Sequence, residues 1–198
     1  MEARHDLLTR SFSVRVRDET GTEEKPEMWV EGYAVRFESP TVLFEYDGAE
    51  YKEQIDRNAF EECQMEDVIF NYNHGGKVMA RTRNQTLFLE IRSDGLYIRA
   101  RLDGTEEGRR LYDEIKGGYI DRMSFRFSVR EEAYDKQNHM WTVRRIKRLY
   151  DVSAVDIPAY DDTSISARKQ AVMDLEERRK RLELDKRKRK LQLRLKIG

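Results

Sequence analysis

Apolar and polar residues alternate with a period of two along much of this chain, the spacing that puts successive side chains on opposite faces of a strand. Ser11-Phe12-Ser13-Val14-Arg15-Val16-Arg17 is the first such run. A charged loop from Asp18 to Pro26 leads to a second strand over Met28–Phe37, with Gly32 marking a bulge and Ser39-Pro40 stopping it. Val42 to Ile55 predicts a hairpin turning at Asp47-Gly48. Asn58 to Met65 predicts one or two helical turns capped by Asp56 or Asn58. Val68-Ile69-Phe70-Asn71-Tyr72 is rich in strand formers and runs into Asn73-His74-Gly75-Gly76. Thr86–Ile91 and Gly95–Leu102 predict two strands joined at Ser93-Asp94-Gly95.

The period then changes. Thr105 can cap the free N–H groups of a helix whose first turn holds Glu106 and Glu107, whose buried stripe is Leu111, Tyr112 and Ile115, and which Gly117-Gly118 ends. From Ile120 to Arg130 alternation returns, with Met123, Phe125, Phe127 and Val129 on one face and Arg122, Ser124, Arg126 and Ser128 on the other. After a turn over Tyr134–Met140, strands are expected at Trp141–Ile146 and Leu149–Ile157, the latter ended by Pro158. About eight short strands with one clear helix and one short one make an α+β protein centred on a mostly antiparallel barrel or sandwich.

Composition adds an asymmetry to this picture. The chain has 198 residues, enough for one ordinary core, and its 38 Lys and Arg balance 38 Asp and Glu. From Arg168 onward, 13 basic residues face 5 acidic ones, leaving 25 basic and 33 acidic before it. A neutral total therefore hides an acidic body and a basic tail. Ala167 to about Lys190 is a charged helix former, while Leu191-Gln192-Leu193-Arg194-Leu195-Lys196-Ile197 alternates with period two, so the tail reads as a partly helical, partner-seeking segment. The single Cys63 excludes an internal disulfide framework, and no apolar run reaches the length of a signal core or a membrane span, so the expectation is a soluble intracellular protein.

Three histidines limit the acid–base chemistry: His5, His74 and His139. His74 lies between a strand and two glycines, a place that suits either an ordinary turn histidine or a general base. Ser124 sits mid-strand beside core-like Met123 and Phe125, on a face shared with Arg122 and Arg126; it is either the polar side of a half-buried strand or a nucleophile, with the arginines lending positive potential near an oxyanion. Asp151 and Asp156 lie in the apolar run of the last strand, where a carboxylate needs a partner, and regular alternation lets only one of them face His74. Cys63 lies among Glu61, Glu62, Glu66 and Asp67, a setting that disfavours the thiolate. No spacing of metal ligands and no phosphate-binding glycine loop is present, so no cofactor is expected.

Taken in order, several segments resemble the prohead serine proteases of tailed phages, whose fold is related to the herpesvirus assemblin protease. They are Glu31-Gly32-Tyr33-Ala34-Val35, Glu53-Gln54-Ile55 with Asn58-Ala59-Phe60, Asp67-Val68 leading to Asn73-His74, Arg81-Thr82, Gly95-Leu96, Met123-Ser124-Phe125, and Asp151-Val152-Ser153 with Pro158-Ala159. The resemblance implies a herpesvirus-protease-like barrel over residues 1–166 and a basic, partly helical tail over 167–198 that binds scaffold or is self-cleaved. It implies a catalytic Ser124, His74 and Asp151; Arg122, Arg126, Gly75 and Gly76 are placed near the oxyanion or substrate by their own positions beside Ser124 and His74. Relatives often carry an acidic residue where Gly75 stands and a glycine where Arg126 stands. The implied activity is acyl-enzyme hydrolysis, removing the scaffolding segment of the major capsid protein inside the assembling prohead in the bacterial cytoplasm. The implied assembly is a homodimer or higher oligomer, with no membrane and no direct nucleic-acid role. The alternative is a non-catalytic capsid- or scaffold-binding module of the same fold. Nucleic-acid binding through the tail is a weaker reading, since the tail lacks interleaved aromatics and the body is acidic.

Overall fold

The computed structural model describes residues 7–17, 20–22, 25–156 and 162–197. The chain divides into two compact units, Met1–Asp161 and Asp162–Gly198. In chain order the first unit contains β1 (Leu7–Val16), β2 (Thr20–Thr22), β3 (Lys25–Glu27), β4 (Trp29–Arg36), β5 (Thr41–Tyr46) and β6 (Ala49–Ile55). There follow β7 (Ile69–Tyr72), β8 (Gly75–Arg81), β9 (Leu87–Arg92), β10 (Gly95–Arg101), α1 (Glu106–Lys116), β11 (Arg122–Asp135) and β12 (Met140–Val155). The second unit holds α2 (Asp162–Ile197).

The first unit is α+β and mostly strand, built as a curled half-barrel. Ten strands form one sheet in the order β5-β6-β12-β11-β1-β4-β10-β9, with β7 branching from β12 and β8 from β7. β1 makes the curl: its first part pairs with β11 from Leu7 to Ser13, and its last residues, Val14 to Val16, pair with β4. Gly32 sits at that crossing, where a Cβ would meet the Ser13 carbonyl oxygen at 2.4 Å. Its role is this close approach rather than the expected bulge, which falls instead opposite Leu96 and Tyr97 of β10. The concave side buries Val30, Val35, Phe70, Leu96, Ile98, Met123, Phe125, Phe127 and Val152 in one core. Burial of this apolar area, at about 25 cal/mol per Å², is the main drive for the curl.

α1 forms as its sequence predicts. Thr105 Oγ1 accepts from the Gly108 N–H at 2.9 Å, Glu106 and Glu107 occupy the first turn, and Leu111, Tyr112 and Ile115 are buried. Four segments differ from expectation. Asp18–Pro26 contains the small hairpin β2–β3, with residues 18, 19, 23 and 24 outside those described. Asn58–Met65 makes successive three-residue turns and no helix, because the backbone of Ala59 and Gln64 is taken by Ile146, Lys147 and Leu149 of β12. The strands expected at Trp141–Ile146 and Leu149–Ile157 merge into one, β12, which ends at Val155 and passes Lys147 as a bulge between the pairs Val129↔Ile146 and Ser128↔Arg148, while Ile157 lies outside the described residues. Finally, Leu191–Ile197 continues α2 rather than turning to strand. Its Leu, Gln, Arg and Lys are all good helix formers, so the helix of α2 runs on through them. The predicted stop at Pro158 and the first histidine, His5, lie outside the described residues. No helix among the described residues is long and apolar enough to cross a membrane.

Candidate active site

Three strands bring the polar residues together. β12 pairs with β11 on one side, antiparallel, and with β7 on the other, parallel. The registers Ser11↔Ser124, Ser124↔Ser153 and Ser153↔Asn71 lay a row of small polar residues across β1, β11, β12 and β7. One row further along, Arg126 stands opposite Asp151. The alternate residues Met123, Phe125, Val152, Ala154 and Phe70 point into the core on the other face. Ser124 and Ser128 are fully buried, although Arg122 and Arg126 on the same face suggested a half-exposed one.

His74 reaches this row from a turn. Tyr72 pairs with Gly75 across the β7–β8 hairpin, leaving Asn73 and His74 as a two-residue loop with φ of 48° and 55°. Two consecutive left-handed residues define the type I′ turn that matches strand twist. Neither Asn nor His has glycine's freedom there, and the conformation is held by bonds to β12. The Asn73 N–H donates to the Ala154 carbonyl at 3.0 Å, and the His74 N–H donates to Ser153 Oγ at 3.2 Å. The turn thus folds back over β12 and carries the imidazole onto the polar face.

There His74 Nδ1 lies 2.5 Å from Asp151 Oδ1, and both side chains are nearly inaccessible, at 3% and 5% exposure. Ser153 Oγ bonds the same carboxylate oxygen at 2.9 Å, and the Arg126 guanidinium stands 3.9 Å from Asp151 Oδ2. A carboxylate oxygen accepts, so Nδ1 carries the ring proton and Nε2 is left as the basic nitrogen. His74 Nε2 and Ser124 Oγ are both buried without a hydrogen-bond partner among the described residues. Buried polar atoms are rarely left so, and a site that must exchange a proton with a substrate-bound group is one place where it is tolerated.

The two acidic candidates separate cleanly. Asp156 is turned to the Tyr72 hydroxyl, which donates to its Oδ2 at 3.0 Å, while its own N–H donates to Asn73 Oδ1 at 3.3 Å. Arg122 is exposed and 3.7 Å from Asp121. Gly75 and Gly76 are exposed at the start of β8, and Gly76 adopts φ 68°. His139 is far along the sheet, in the β11–β12 hairpin, with its ring 4.5 Å from that of Tyr51. Burial pushes the Cys63 thiol up to about 12, and its Sγ points to the Gln64 carbonyl, 3.7 Å away. That is no nucleophile near neutral pH. Among the described residues no three His, Cys, Asp or Glu side chains are grouped to hold a metal ion.

Sequence reasoning passed over Ser153 and Asn71 as site residues. Their signal was available: each is a polar side chain inside an apolar strand, and Ser153 lies two residues from Asp151, hence on the same face.

Residues 12–178 match the family model described as caudovirus prohead serine protease. The chain belongs to that family. This prohead protease also resembles in fold the solved structure of the bacteriophage T4 capsid assembly protease, gp21, with a TM-score of 0.53 and 18% identity, over 77% of this chain and 98% of that one. No curated protein matches the chain. The family makes the protein a phage capsid maturation protease of the serine class.

Proposed function

We propose that Ser124, His74 and Asp151 form the catalytic triad of this prohead protease, working through an acyl-enzyme. His74 Nε2 takes the Ser124 proton as Oγ attacks the scissile carbonyl carbon. The tetrahedral intermediate collapses, and the leaving amine takes the proton from the imidazolium. A water then gives its proton to His74, attacks the ester, and releases the new carboxyl end. Asp151 holds the imidazole in the tautomer this requires and stabilises the imidazolium. Arg126 and Arg122 lie on the same strand as Ser124 and supply positive potential for the developing oxyanion, and Gly75 and Gly76 offer backbone N–H groups beside His74. The observation that carries the reading is the buried 2.5 Å pairing of His74 Nδ1 with Asp151 on the face that also holds an unpartnered Ser124 Oγ.

The substrate in this reading is the scaffolding segment of the major capsid protein, cut inside the prohead in the host cytoplasm. The fold would be herpesvirus-protease-like over residues 1–166, and the enzyme a homodimer or higher oligomer. The tail, residues 167–198, carries the basic excess and would dock on acidic scaffold or be removed by self-cleavage. The deciding experiment is co-expression with the cognate capsid protein, comparing wild type with Ser124→Ala by intact mass. Shortened capsid protein with wild type alone is the expected result. Equal cleavage with both removes Ser124 from the mechanism, and none with either, when proheads have assembled, removes the protease reading.

A further inference from the structure

We propose that Ser153 is a positioning residue for the general base, tying the strained His74 turn to the Asp151 carboxylate. The inference rests on the triad reading above. Ser153 Oγ touches both the turn and the carboxylate of the base assembly. It accepts from the His74 N–H at 3.2 Å, stands 3.1 Å from His74 Nδ1, and lies 2.9 Å from Asp151 Oδ1. It also bonds Asn71 Oδ1, so β7 is tied to β12 by side chains as well as by backbone. Ser153 itself is fully buried, so none of these bonds is shared with solvent.

A hydroxyl has one proton to give and can accept two. Here its proton is shared between Asn71 and Asp151, and its lone pairs receive the His74 N–H. This arrangement fixes two things at once. The turn cannot lift off β12 without losing the N–H bond, and Asp151 cannot rotate away from Nδ1 without losing a donor. The other charged groups nearby are accounted for. Arg126 on β11 faces the second oxygen of Asp151, Lys77 on β8 is paired with Glu107 of α1, and the Tyr72 hydroxyl is bonded to Asp156. No other charged group is bonded to the imidazole among the described residues.

The test uses the full-length protein and diisopropyl fluorophosphate, whose phosphorus takes the Ser124 oxygen as fluoride leaves and His74 accepts the proton. Labelling is followed by intact mass between pH 5.5 and 9 for wild type, Ser153→Ala and Ser153→Cys. Cysteine keeps the volume with a weak donor, so the test survives if alanine fails to fold. Loss of a hydrogen bond to a charged group predicts a rate about tenfold to a hundredfold lower. The acidic limb of the pH profile should shift, because the carboxylate that faces the imidazole is no longer held in place. Ser153→Thr, which keeps the hydroxyl, should restore the position of that limb. A uniform fall with an unmoved limb would mean packing alone and overturns the inference, as does labelling at the wild-type rate. Absence of Ser124 labelling in the wild type removes the triad reading itself, and this inference with it.

Discussion

The hairpins β5–β6 and β7–β8 both close with two consecutive residues in the left-handed region: Asp47 and Gly48 at φ 51° and 76°, Asn73 and His74 at 48° and 55°. The first uses residues that accept this backbone readily, and a Cβ at Gly48 would meet nothing within 4 Å. It has the residue types that a two-residue hairpin connection favours. The second places a histidine where the backbone costs about 1 kcal/mol, and surrounds it with bonds to β12 that offset the cost. The bases of the two hairpins differ as well. Asp67, just before β7, binds Arg81 at the end of β8 through both carboxylate oxygens, at 3.1 and 2.5 Å, and Arg83 at 2.9 Å. Strain at the tip of β7–β8 is therefore set between two anchored ends, which is how a turn can hold a side chain to a fixed direction.

The largest expected effect that would break this contrast is on chemistry. His74→Ala and Ser124→Ala should each lower capsid-protein cleavage by about 10⁵- to 10⁶-fold, and Asp151→Asn by about 10⁴-fold, measured as rates on assembled proheads. Activity surviving in His74→Ala would reduce the β7–β8 turn to a connection like the other. Next comes stability. Gly48→Ala should cost about 1 kcal/mol in a urea titration, from the left-handed φ alone, and leave the cleavage rate unchanged. An activity loss there would mean that the two hairpins communicate.

The smallest effect is the pH dependence of the anchor. The Arg81 and Arg83 guanidinium groups hold the Asp67 carboxyl below its usual range, with the bond to Arg81 the main cause. A carboxyl lowered in the folded state adds stability that is complete above its unfolded value, about 4, and lost as pH falls through the folded value. Wild type should therefore lose urea resistance below about pH 4 more steeply than Asp67→Asn. Parallel curves for the two would show that the ion pairs do not secure the base of β7–β8.

Much of the sheet was legible because strands with one buried face carry their period openly. The Asp47-Gly48 hairpin, α1 with its Thr105 cap, and the Met123–Phe127 core face follow directly from residue type and spacing. The β7–β8 hairpin was not, since Asn73-His74 is a poor turn signal and β8, exposed over Gly75–Val78, lacks an apolar alternation. The single span of β12 was hidden by its charged bulge at Lys147. For the site, His74, Ser124 and Asp151 could be nominated from the sequence, but the choice of Asp151 over Asp156 depends on how the turn lies across β12. Ser153 and Asn71 are small polar residues whose meaning comes only from register between strands about eighty positions apart.

That separation has a consequence for timing. The His74–Asp151 contact spans 77 residues and is reached through a parallel pairing that no local hairpin can nucleate. A nascent chain emerging from the ribosome holds Ser124 and His74 well before it holds the strand that aligns them. Until Asp151 and Ser153 are free to join the sheet, the imidazole lacks both its carboxylate and its tether. Strand topology thus ties completion of this site to the synthesis of β12, the last strand of the first unit.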